Sequence, residues 1–149
     1  MTRFHHLHAA VFLLLLAACT GTSDPAGEAP ADGYRVICTT GMIADAVSQV
    51  MGERAQVTAL MGPGVDPHLY KATQGDLRRL MDADLVFYNG LHLEGKMGEV
   101  LEKVGRLKPV IAVAEGISQE RLLNSTDYAG AYDPHLWFDV SLWADVVAH

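Results

Sequence analysis

Cysteine is nearly absent from this 149-residue chain: Cys19 and Cys38 are the two it has. A scaffold stapled by several disulfides is therefore excluded. Basic residues are also scarce, with 11 Lys and Arg against 18 Asp and Glu and a formal net charge of −7. An acidic surface argues against a nucleic-acid partner and suits the attraction of cations. No apolar run is long. The one from Ala9 to Ala18 is too short to span a bilayer as a mature helix. The chain carries no G-x-S-x-G elbow, no Walker-type phosphate loop and no Cys-His arrangement for nucleophilic catalysis.

What is present begins with a leader. Arg3, the apolar run and the small residues before Cys19 have the layout of a secretory signal. Leu16-Ala17-Ala18-Cys19 resembles a bacterial lipobox, which implies cleavage before Cys19 and a diacylglycerol anchor on its sulfur. Residues 1–18 are read as signal peptide, with His5, His6 and His8 inside it. Residues 19–33 are read as the lipidated cysteine and a flexible tether, rich in Gly, Pro, Ala and acidic side chains. Losing Arg3 with the leader takes the formal charge from −7 to −8. Cys38 then has no partner within the domain, and its apolar setting predicts a buried thiol in a strand.

From Tyr34 the chain alternates between strand and helix patterns. YRVICTT, AQVTALM, DLVFYNG and PVIAVAEG are predicted strands, read as continuous apolar runs. MIADAVSQVMG is a predicted helix with Ile43, Ala46, Val47 and Val50 on one face. TQGDLRRLMDA is a second, with Thr73 as cap, Asp76 three residues on, and Leu77, Leu80 and Met81 as its apolar face. GKMGEVLEKVG is a third, carrying Met97, Val100, Leu101 and Val104 at helical spacing. SLWADVVAH starts a fourth, with Ser141 as its expected cap. Alternation with short links predicts an α/β domain with a four-stranded parallel sheet flanked by helices over 34–149. Ligands of such sheets sit beyond the carboxyl ends of the strands.

Against that frame one motif occurs twice: GVDPHLY at Gly64–Tyr70 and YDPHLWFD at Tyr132–Asp139. Proline fixes its own φ and restricts the residue before it, so Asp-Pro delivers the next residue in a limited direction. That residue is His68 in one copy and His135 in the other. A neutral imidazole suits zinc and is acceptable to manganese. The loop carrying His68 follows the second predicted strand and the segment carrying His135 comes after the fourth, so both histidines are expected at one edge of the sheet, where they can converge. Leu69-Tyr70 and Leu136-Trp137 are expected to anchor the two loops in the core. Asp66 and Asp133 can accept a proton from the far ring nitrogen or simply stabilise the turn. His92 follows the third strand and is expected in a supporting or packing role. His92-x-Glu94 would need a P-C-x-x-C partner to read as a zinc deaminase, and the chain has none. Trp137 and Trp143 are expected in the core, and Asp139 in hydrogen bonds at a helix start.

VDPHLYKATQGDLRRLMDADLVFYNGLHLEGKMGEV and DPHLWFDV closely resemble the solute-binding lipoproteins of bacterial zinc and manganese ABC transporters. The resemblance implies one lobe of a bilobal periplasmic-binding-protein-like fold. It also implies a non-enzymatic, extracytoplasmic monomer, held to the membrane through Cys19, that captures zinc or manganese for a membrane permease. Histidines at the two motif positions are metal ligands in that family, which carries over to His68 and His135. Family members take further ligands from a second lobe, so the expectation is a truncated, weakly binding N-terminal lobe. Glu115–Tyr132 has no histidine and no acidic run, which resembles the subgroup associated with manganese as well as zinc. The alternative is an adhesin-like surface lipoprotein, whose contacts would survive replacement of both histidines.

Overall fold

A computed structural model describes residues 32–126 and 129–149. The signal peptide, Cys19 and nearly all of the tether lie outside the described residues. Regular structure begins with β1 (Tyr34–Cys38) and continues through α1 (Gly41–Met51), β2 (Ala55–Ala59), α2 (Gln74–Asp82) and β3 (Leu85–Tyr88). It ends with α3 (Gly98–Gly105), β4 (Val110–Ala112) and α4 (Val140–Ala148). The sheet runs β2-β1-β3-β4 with every pairing parallel. The chain thus departs in one direction from β1 to β2 and in the other from β3 to β4. Beyond the carboxyl ends of β1 and β3 lies the reversal point where such sheets hold their ligands.

Side-chain alternation along the central strands divides the interior. Ile37 and Val86 face one side with Leu80, Met97, Leu101 and Val104, packed against α2 and α3. Val36 and Cys38 face the other with Ile43 and Val113, and Trp143 and Val146 of α4 close over them. A third group, Ala114, Ile117, Leu136 and Leu142, extends this second layer toward the motif at His135. Cys38 is fully buried, as expected, and burial pushes its thiol pKa up to about 12.

Several local expectations are corrected. β2 is an edge strand whose residues alternate between half-buried and exposed, so it is not a continuous buried run. In α2 Asp76 and Leu80 are buried, followed by Ala83 just past the helix, whereas Leu77 and Met81 are largely exposed. Those inward positions follow one another at i, i+4 and i+7. Val50 likewise points outward from α1. PVIAVAEG leaves the sheet after Ala112 and winds into a 3-10 turn at Val113–Gly116, where the Ala114 N–H bonds to Asn89 O. α4 is capped by Asp139, whose carboxylate accepts the N–H groups of Ser141 and Leu142; Ser141 is not the cap. The Thr73–Asp76 capping box forms as expected.

Candidate metal centre

Both copies of Asp-Pro-His fold into the same turn. Asp66 Oδ1 accepts the His68 backbone N–H at 2.9 Å, and Asp133 Oδ1 accepts the His135 N–H at 3.0 Å. Proline between them cannot donate and has its φ locked, so the aspartate reaches past it to the following residue. The two loops meet at one edge of the sheet, and His68 Nε2 stands 3.3 Å from His135 Nε2. Their rings are tilted by 58° with centroids 5.3 Å apart.

The two aspartates differ in one respect. Asp133 Oδ1 also reaches His135 Nδ1 at 2.6 Å, a bond that fixes the ring and its tautomer. The backbone N–H of His135, more than any other group, holds the Asp133 carboxyl below its ordinary pKa. With Nδ1 of a neutral His135 protonated, its Nε2 is left as acceptor and His68 Nε2 is the donor between them. Among the described residues Asp66 makes no bond to the His68 ring. The anchoring also differs between the loops. Tyr70 secures the first, packed on the core with its hydroxyl donating to Asp76, while Leu69 stays exposed. In the second, Leu136 is buried and Trp137 leaves the core to set its ring edge-on to His135, at 5.3 Å and 77°. The expectation of a core Trp137 is thereby corrected; Trp143 does lie in the core.

Around the pair opens a cleft of about 720 Å³, lined by Asp66, Leu69, Leu91, His92, Gly95, Ser125, Thr126 and Ala131–Pro134 beside the two histidines. His92 sits in its wall, exposed, and bonds to neither histidine among the described residues. Its backbone is left-handed (φ 64°), as are those of Leu91 (φ 51°) and Gly90 (φ 83°). Such a run is costly for residues with a Cβ and persists only where its surroundings hold it.

Glu94 and Asn89 do the holding, and sequence reasoning did not identify either role. Glu94 is buried and accepts from Thr39 Oγ1 (2.7 Å), Asn89 N (2.7 Å) and Gly90 N (3.2 Å). It thereby ties the end of β1 to the end of β3. Burial raises its pKa against the opposing pull of these bonds. Asn89, fully buried, donates from Nδ2 to Gly90 O (3.1 Å) and to Pro134 O (3.0 Å), the residue just before His135. A signal for both was present in Asn-Gly after a strand with a carboxylate four residues on. The unproductive H-x-E reading drew on the same glutamate.

The site provides two imidazole nitrogens within reach of one cation. Among the described residues, no group of three or more His, Cys, Asp or Glu could hold a metal. Residues 36–149 match the family described as zinc-uptake complex component A, periplasmic (ZnuA). The chain belongs to this family. It is 48% identical over 137 residues to the manganese-binding lipoprotein MntA of Bacillus subtilis, covering 92% of this chain and 44% of that protein. It is equally 48% identical, over 135 residues, to the zinc-binding protein TroA of Treponema pallidum, covering 89% of this chain and 43% of that one. The solved periplasmic zinc-binding TroA superposes with a TM-score of 0.73 at 49% identity, over 78% of this chain and 41% of that chain. The chain therefore spans less than half the length of these relatives, and its fold is one lobe of the bilobal ZnuA-type architecture. The family's description places its members in the periplasm, as component A of a zinc-uptake complex.

Proposed function

We propose that this chain is the metal-receiving lobe of an extracytoplasmic capture protein serving an ABC importer, with His68 and His135 as ligands for zinc or manganese. The observation that carries the reading is the approach of the two Nε2 atoms to 3.3 Å from turns built alike. Two nitrogens each about 2.0–2.1 Å from a tetrahedral zinc stand roughly 3.3 Å apart. The pair is thus already spaced for a metal, which His68 binds as its other tautomer, with the proton moved from Nε2 to Nδ1. Asp133 orients His135 through Nδ1, Asp66 holds the His68 turn, and His92 lines the cleft without ligating. Residues 34–149 form the metal-binding lobe, and Cys19 carries the lipid anchor that keeps it near the membrane permease.

Equal identity to a manganese-binding and a zinc-binding relative leaves both ions as cargo. Two nitrogens fill half of a four-coordinate sphere, so the remaining ligands come from outside the described residues. A ligand that binds only the native state stabilises it, by about 2.7 kcal/mol at a hundred times its Kd. Zinc or manganese is therefore expected to raise the melting temperature by several degrees, and His68→Ala or His135→Ala to abolish the rise. Absence of any shift at millimolar metal would overturn the reading.

A further inference from the structure

We propose that one internal water joins the Thr40 hydroxyl to the Asn89 side chain beneath the His135 turn, which makes Thr40 a positioning residue for the metal pair. The inference rests on the assignment of His68 and His135 as ligands and adds what holds one of them from behind. Thr40 Oγ1 and Asn89 Oδ1 are both buried, and neither has a hydrogen-bond partner among the described residues. Thr40 is 4% exposed and Asn89 0%. The lobe itself thus closes both atoms off from any neighbour beyond it. A buried polar atom without a partner is costly, and ordered water is its common partner.

The two atoms lie at the ends of neighbouring strands. Cys38 pairs with Phe87 in the β1–β3 register, so the same register carried two residues on sets Thr40 beside Asn89. Thr40 is still extended, at φ −115° and ψ 160°. Side chains two apart in a strand share a face, here the one that holds Val36, Cys38 and Phe87. Thr40 also directly precedes α1, yet its hydroxyl makes no capping bond. The leading N–H groups of that helix therefore lack the partner that a threonine in this position usually supplies. Asn89 Nδ2 donates to Gly90 O and Pro134 O, which fixes the amide and leaves Oδ1 as an acceptor alone. A helix start repels a cation, and the Asn89 carbonyl repels an anion. Water, which both donates and accepts, satisfies the two sides together. The bonds then run from Thr40 through water and Asn89 to Pro134, the residue before His135.

A high-resolution crystal structure of the metal-free chain reads the water directly. It is expected to show one water within hydrogen-bonding distance of Thr40 Oγ1 and Asn89 Oδ1; no density between them, or a direct bond, would overturn the proposal. Zinc titration reads the function. Thr40→Val keeps the shape of the side chain without its hydroxyl and is expected to weaken zinc binding about tenfold, the low end for groups that support a metal ligand. Thr40→Ser is expected to keep the parent affinity. Val36→Ala opens a cavity on the same face of β1 and is expected to lower the melting temperature with zinc affinity unchanged. Parent affinity in Thr40→Val, or an equal loss in Val36→Ala or Thr40→Ser, would overturn the positioning role and leave metal capture standing. Where Thr40→Val does not fold, the parent structure and Thr40→Ser still decide. No zinc uptake by a parent chain that stays folded would remove both proposals.

Discussion

His92 is the residue whose backbone and side chain tell different stories. Its ring lines the cleft, yet its φ of 64° follows the left-handed Gly90 and Leu91. A side chain in that region costs about 1–2 kcal/mol, and the Glu94 carboxylate holds the preceding N–H groups so that the loop keeps its shape. His92→Gly is expected to stabilise the protein by about 1 kcal/mol in urea unfolding, with the metal-induced thermal shift retained. Loss of that shift in a well-folded variant would make His92 a ligand. The paired Asp-Pro-His turns were legible in the sequence because their chemistry is local: an aspartate, a proline and the next N–H. Which aspartate also reaches its imidazole was not legible, since it depends on how each ring is packed. Trp137 braces the ring of His135, whereas Leu69 beside His68 turns outward.

At the scale of the element, α2 owes its start to one carboxylate. Asp76 accepts from Thr73 N, Thr73 Oγ1 and Tyr70 OH, which also secures the loop behind His68. Burial alone would raise its pKa, but the bonds from Thr73 and Tyr70 and the nearby Arg79 outweigh it and hold the group below the ordinary carboxylate value. A depressed folded pKa contributes stability above the ordinary carboxylate value, and that stability is lost as pH falls through the lowered one. Asp76→Asn is therefore expected to be less stable than the parent at pH 7, with the gap narrowing below about pH 4. A gap that stays constant down to pH 2 would contradict this assignment. The capping box was readable from Thr73 and Asp76 alone. The outward turn of Leu77 and Met81 was not, because a nine-residue helix exposes apolar positions once its inward row is filled by Asp76, Leu80 and Ala83.

Across the whole molecule, Cys38 reports on the integrity of the sheet. It lies in a central strand, fully buried, with a thiol pKa of about 12. Only the thiolate reacts, so alkylation of Cys38 at neutral pH, followed by peptide mapping, is expected to require opening of the sheet and to slow further when metal is bound. Rapid labelling of the native, metal-free protein would mean that β1 opens locally. The same sheet positions the site. Glu94 bridges the ends of β1 and β3, and Asn89 passes that position on to Pro134 and so to the His135 turn.

The amino-acid sequence by itself determined the alternation of strands and helices, the parallel sheet and the presence of both histidines at one sheet edge. These follow from hydrophobic period, caps and turn residues, all local properties. The β2-β1-β3-β4 order, the 3.3 Å approach of side chains 67 residues apart and the buried Asn89–Pro134 bridge were decided by the tertiary structure. Each depends on the packing of segments distant along the chain, which no local pattern encodes.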